Sequence, residues 1–457
     1  MNVLLVSPNR EHSPYPIQPL GLLYVADALG KAGHEVDFCD CNFLHGDDAL
    51  LSRLKAKPDL ICFSLRNIDN TAFPGTKYYL PEFQRIVNLC RERCAAPLLI
   101  GGAGFSLMPE EILAFLDVDH GIVGQGERAI VEFLECLDGQ RARDQVSGLC
   151  YRQDGVCHVN APDFSVETIR NHRPARELLD MPRYQTEGGM ANIQTKRGCP
   201  FQCIYCTYPV IEGRVPLLRD PFDVVDELAW MQDAHDVRYF SFVDSVFNVP
   251  LHHATAICEE ILRRDLRIRW TSFFNPHSLN KGFIELAKCA GCSGVELGCD
   301  ALDDAMLESL KKGFTVDHVE QATRWFMEVG INVCICLILG GPGENRRSIA
   351  ETFRRLDKLH PTHAVAFGGV RIYPRTEMER IAKAEGYGTE SWLMPQFYFS
   401  RNVEDALVKT IQHYGSTHPN FSFEGLQEEI PPAVMRRLHK MGFSGPVWES
   451  FSLLRRA

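Results

Sequence analysis

Along the first 140 residues, short apolar runs alternate with amphipathic stretches. Residues 2–8 (NVLLVSP), 34–42 (HEVDFCDCN), 59–65 (DLICFSL), 96–102 (APLLIGG) and 121–127 (GIVGQGE) predict strands. Between them, residues 20–33, 81–94, 110–117 and 127–137 place apolar side chains at helical spacing. Strand alternating with helix predicts a parallel sheet covered on both faces, a doubly wound (Rossmann-like) domain. Ligands of such sheets lie at the carboxyl ends of the strands. The loops there carry Arg66–Asn67–Ile68–Asp69–Asn70, Gly101–Gly102–Ala103–Gly104 and Gly124–Gln125–Gly126–Glu127.

Residues 147–160 (SGLCYRQDGVCHVN) predict a small hairpin turning at Asp154–Gly155. The stretch 171–189, rich in Pro, Arg and Gly, reads as a connection. A second alternating series follows, with predicted strands at 191–198, 237–245, 268–274, 294–301, 332–341 and 363–374 and helical stretches between them. Six such units predict a partial (β/α)6 barrel, left open where eight would close. The expected division is 1–140 Rossmann-like domain, 141–190 linker with hairpin, 191–375 barrel, and 376–457 a mostly helical tail. In that tail 402–415 and 431–442 have helical periodicity.

Composition narrows the class. With 45% hydrophobic and 23% charged residues the chain is an ordinary globular protein. No apolar run approaches the roughly 20 residues of a membrane span, and no signal peptide is legible, so a cytoplasmic location is expected. A formal charge of −11 lacks the basic footprint of a nucleic-acid partner and is compatible with a cationic substrate.

Of the 17 cysteines, many lie inside apolar runs and read as small buried hydrophobes. Cys289 and Cys292 have C-x2-C spacing but no matching second pair, so packing is preferred to structural zinc. Residues 195–206 (TKRGCPFQCIYC) differ. Cys199, Cys203 and Cys206 form C-x3-C-x2-C after the first barrel strand, at the end where barrels keep their chemistry. Structural zinc normally takes four closed ligands, and no fourth lies nearby. Three thiolates with an open position suit a [4Fe-4S] cluster with one iron left for a non-protein ligand.

These residues resemble the radical SAM enzymes over 192–375. The resemblance implies a cluster on Cys199, Cys203 and Cys206 whose open iron chelates S-adenosylmethionine. Reductive cleavage then yields a 5′-deoxyadenosyl radical that abstracts substrate hydrogen. It further implies cofactor contacts from Tyr205, from Asp244 and Ser245, from Asp300 near the ribose, and from Gly340 and Gly341 in LILGGPGE beside adenine. Residues 1–135 resemble the subgroup with an N-terminal cobalamin-binding-type domain. The chain lacks the D-x-H-x-x-G motif that supplies a histidine to cobalt, so cobalamin is a candidate rather than an implied cofactor. Arg66 is the candidate beneath the corrin, its alternative being a salt bridge to Asp69.

A further likeness is to radical SAM diol dehydratases of aminoglycoside biosynthesis, carried by length, short tail and CTYPVIEGR. The preferred expectation is therefore a lyase-type dehydration of a paromamine-like aminosugar in antibiotic biosynthesis. Glu212 and Asp244 are its catalytic carboxylates, and these with Asp300 would hold a cationic sugar. The alternative is a cobalamin-dependent C-methyltransferase of secondary metabolism, and a minor one is a non-catalytic iron–sulfur or cobalamin sensor. Expected partners are a small-molecule substrate and an electron donor such as flavodoxin or ferredoxin.

Overall fold

A computed structural model describes residues 1–12, 15–188, 190–388, 391–426 and 432–450. The first sheet is built from β1 (Asn2–Ser7), β2 (Glu35–Asp40), β3 (Leu60–Ser64), β4 (Leu98–Gly101), β5 (His120–Ile122), β6 (Leu149–Gln153) and β7 (Val156–Val159), in the order β2-β1-β3-β4-β5-β6-β7. β1 to β5 pair in parallel. They read as continuous apolar runs because helices cover both faces. The hairpin β6–β7 turns at Asp154 and Gly155, both at positive φ (51° and 79°), as a primed turn requires. It pairs antiparallel with β5 and so extends the first sheet. The first unit therefore runs through Val159, beyond the expected boundary at 140.

The second sheet contains β8 (Ala191–Ile193), β9 (Tyr239–Phe242), β10 (Arg269–Phe274), β11 (Cys292–Asp300), β12 (Asn332–Leu339), β13 (His363–Gly368) and β14 (Phe421–Phe423). Its order is β14-β13-β12-β11-β10-β9-β8, parallel throughout. The six expected strands are β8 to β13, and the tail, expected to be helical, supplies a seventh. β8 and β14 are the two edges, so the barrel stays open. Along β10, Trp270 and Phe274 are buried among Phe242, Phe247, Phe283 and Phe326, under the outer helices. Phe273, on the opposite face, is 42% exposed although it sits mid-molecule, because it faces the hollow of the barrel.

The C-terminal ends of both sheets meet. Buried ion pairs join them: Asp69 to Arg371 at 2.9 Å and Glu127 to Arg197 at 2.5 Å. Arg375 donates to the carbonyls of Ser106 and Leu107. Arg176, 1% exposed, donates to Gln18, to Glu227 and to the Asn192 carbonyl, tying the connection to both units. Burying each of these ion-paired charges costs desolvation that its partner offsets in part.

Candidate functional site

Two cavities occupy this junction. The smaller, about 380 Å³, is lined by Cys199, Cys203 and Cys206 together with Tyr205, Ser245 and Asp300. The larger, about 710 Å³, lies against the strand ends of the first sheet and includes Arg66, Gln125 and Glu212. Thr71, Thr207, Tyr208, Phe273 and Tyr373 line both, so the cavities share a wall.

The cysteine loop is held from behind. Glu212 accepts from the Gly198 N–H at 3.0 Å and from Gln194 at 3.2 Å, and the Cys199 N–H donates to the Gly213 carbonyl. Gly198 has φ +87°, and a Cβ there would stand 2.3 Å from the Val215 carbonyl oxygen, so only glycine makes this turn. Burial raises the Glu212 carboxyl pKa, and burial likewise raises the thiols of Cys203 and Cys206. Among the described residues no three His, Cys, Asp or Glu side chains converge on one ion. The three cysteines instead line one cavity, as three thiolates that share a four-iron cube must.

Asp300 reaches the smaller cavity, but its carboxylate is already engaged. Lys312 lies 2.7 Å away as an ion pair, and the Tyr205 hydroxyl donates to it. Burial works against the Lys312 ammonium, yet Asp300 outweighs it and holds the pKa well above the ordinary lysine value. The expected free acceptor for a ribose is thus one arm of a Lys312–Asp300–Tyr205 group. Lys312 also sits over the Tyr205 ring, 5.6 Å from its centroid.

Three expected contacts fall elsewhere. Asp244 is 1% exposed and lines neither cavity. Its oxygens are taken by the Thr195 N–H and hydroxyl and by Lys196 at 3.0 Å, which makes it a buried brace for the strand before the cysteine loop. Gly340 and Gly341 also line neither cavity. Gly340 has φ +102°, and a Cβ would meet Leu407 at 2.7 Å, so packing and backbone explain it. Arg66 makes no salt bridge to Asp69, which belongs to Arg371; among the described residues Arg66 closes no ion pair or hydrogen bond. Burial lowers its pKa.

Ring and amide groups fit the larger cavity. Gly21 and Gly101 line it, and a Cβ on either would meet nothing within 4 Å, so each leaves its volume open. Gln125, 8% exposed, has both amide atoms buried without a partner. A ligand fringed with amides, as a corrin is, satisfies that requirement. Lys312 and Gln125 were missed as site residues. Gln125 sits in a strand-end loop that was legible; Lys312 has no local signal.

The B12-binding domain description matches residues 7–134 and the radical SAM superfamily description matches residues 193–356. The chain joins a B12-binding domain to a radical SAM domain. It is a radical SAM enzyme: the radical SAM domain implies a [4Fe-4S] cluster and S-adenosylmethionine, and the B12-binding domain supports cobalamin as a further cofactor. The tryptophan 2-C-methyltransferase of Streptomyces laurentii is 26% identical over 81% of this chain and 73% of its own length. An anaerobic magnesium-protoporphyrin IX monomethyl ester cyclase of Rubrivivax gelatinosus is 25% identical over 80% of this chain and 67% of its own. In fold, the chain is similar to the radical S-adenosylmethionine methyltransferase TsrM of Kitasatospora setae, solved with tryptophan and a SAM analogue. The TM-score is 0.88 at 24% identity, covering 100% of this chain and 99% of that one. No helix among the described residues is long and apolar enough to cross a membrane.

Proposed function

We propose that this B12-binding radical SAM enzyme is a cobalamin-dependent C-methyltransferase acting on a small polar intermediate of secondary metabolism. Of the two expected reactions, the relatives favour methyl transfer over dehydration. The observation that carries the reading is the shared wall: a cavity of about 710 Å³ at the strand ends of the first sheet and the cavity of the three thiols have Thr71, Thr207, Tyr208, Phe273 and Tyr373 in common.

When bound, the cluster and S-adenosylmethionine supply radical chemistry and the corrin supplies a transferable methyl group. The chain's part is to hold and orient. Cys199, Cys203 and Cys206 would ligate the cluster. Tyr205, fixed by Asp300 and Lys312, and Ser245 would flank S-adenosylmethionine in the smaller cavity. Gln125 would pair with corrin amides, and the unpaired guanidinium of Arg66 lines the same cavity. Glu212 keeps the cysteine loop in shape rather than meeting substrate. The buried pairs Asp69–Arg371 and Glu127–Arg197 hold the two units together beside the cavities.

The experiment is anaerobic reconstitution with iron, sulfide, cobalamin and methyl-deuterated S-adenosylmethionine, incubated with extract of the source cells. Methyl transfer yields S-adenosylhomocysteine one-for-one with a deuterated product, and only with cobalamin. Formation of 5′-deoxyadenosine without S-adenosylhomocysteine would install the dehydratase instead.

A further inference from the structure

Beneath the shared wall, the barrel hollow contains polar groups that the protein leaves unsatisfied. Glu296 lies in register with Phe273 on β10 and with Cys334 on β12. Two residues further along the same face of β11 is Gly298, which lines the thiol cavity and has no atom within 4 Å of where a Cβ would stand. Glu296 is thus one strand repeat, about 7 Å, below that cavity. It is only half-buried although it stands in the middle of the sheet, as a side chain facing an internal space is.

Among the described residues no cation stands against Glu296. The groups facing it are Tyr15 from the N-terminal segment, Cys334 from β12, and Trp448 and Glu449 from the C-terminal turn. Glu449 is itself engaged by Arg269, Ser293 and Tyr239. Burial therefore raises the Glu296 carboxyl pKa to about 7, with the Trp448 indole N–H favouring the charged form and Glu449 opposing it. That indole N–H has no partner within bonding distance, nor has the hydroxyl of Thr271, 2% exposed and in register with Gly294. Trp448 packs closely against Gly294, so the indole lies on the same inward face of the sheet as Thr271 and Glu296. Buried polar groups in native proteins are seldom left unpaired, and here the indole and the hydroxyl both are, beside a carboxyl with no ion partner among the described residues.

We propose that this hollow is a substrate subsite in which Glu296 anchors a protonated amine. A neutral hydrogen-bond donor would leave the charge uncompensated; an ammonium removes it. Aromatic rings of Tyr15, Phe273 and Trp448 suit a cation as well. The subsite names the substrate class, a small amine, and rests on the reading of the barrel as the seat of a small-molecule substrate.

The test is calorimetry on the full, cofactor-loaded chain with phenethylamine, tryptamine and 2-deoxystreptamine, each beside its counterpart bearing hydroxyl in place of amine. At least one amine should bind about ten- to a hundredfold tighter than its alcohol. That preference should grow as pH rises through about 7, where Glu296 ionises. Glu296→Gln should abolish it while iron and cobalamin content stay unchanged; if that variant loses either, the wild-type pH profile decides alone. Equal binding of amines and alcohols, a preference kept in the Gln variant, or one that weakens with rising pH overturns the proposal. Binding needs no turnover, so absence of S-adenosylhomocysteine would sink the methyltransferase and leave this subsite standing.

Discussion

At the residue scale, buried charges are decided by their partners. Lys312 keeps its proton because Asp300 lies 2.7 Å away. Lys312→Met leaves that carboxylate buried and uncompensated, which costs roughly 3–5 kcal/mol. A urea midpoint should fall accordingly, and Lys312→Met with Asp300→Asn should recover much of the loss; a double variant as weak as the single would deny the pairing. Glu296 offers the opposite case, a carboxyl raised from 4.5 to about 7 by burial. A folded-state pKa above the unfolded one stabilises the fold in acid, and that stabilisation disappears as pH climbs from about 4.5 through 7. The step is worth roughly 3 kcal/mol. Wild type should therefore lose stability against Glu296→Gln across that window, as read from denaturation at each pH; parallel curves would place Glu296 in water.

At the scale of elements, what could be read from sequence depended on whether the deciding contacts are local. The strands β8 to β13 were legible because parallel strands under helices read as apolar runs. Phe421–Phe423 was not: three residues carry no period, and only pairing with β13 makes them a strand. The Asp154–Gly155 turn was legible from its residues, whereas attachment of the hairpin to β5 is nonlocal. The site divides the same way. Three cysteines within eight positions advertise themselves; Lys312, Tyr15 and Glu296 acquire their meaning only from neighbours far along the chain. Asp244 was misjudged for the same reason, since its partners Thr195 and Lys196 lie on another strand segment. The C-terminal turn is an element with its own test. A Cβ at Gly294 would stand 2.2 Å from Glu449 and 2.7 Å from Trp448. Gly294→Ala should cost about 1–3 kcal/mol by overpacking, and hydrogen exchange at 443–450 should quicken while the first sheet is unchanged.

Over the whole molecule, two sheets are clamped through charges that neither could bury alone. Asp69→Asn would strand Arg371, 6% exposed, without its carboxylate. The expected result is a loss of roughly 3–5 kcal/mol, with calorimetry resolving two transitions where wild type shows one and cobalamin retained less well. A single sharp transition in the variant would mean that the remaining contacts suffice.

The wall common to the two cavities has a thermodynamic consequence. The rings of Tyr208, Phe273 and Tyr373 border both spaces, and each ring occupies one rotamer at a time. An occupant of either cavity thereby selects the shape offered to the other, so the two affinities are linked. Linkage is reciprocal: the factor by which cobalamin alters the Kd for S-adenosylmethionine must equal the factor by which S-adenosylmethionine alters the Kd for cobalamin. Measured in both directions on one preparation, the logarithm of that common factor gives the free energy of cooperation between the two cavities.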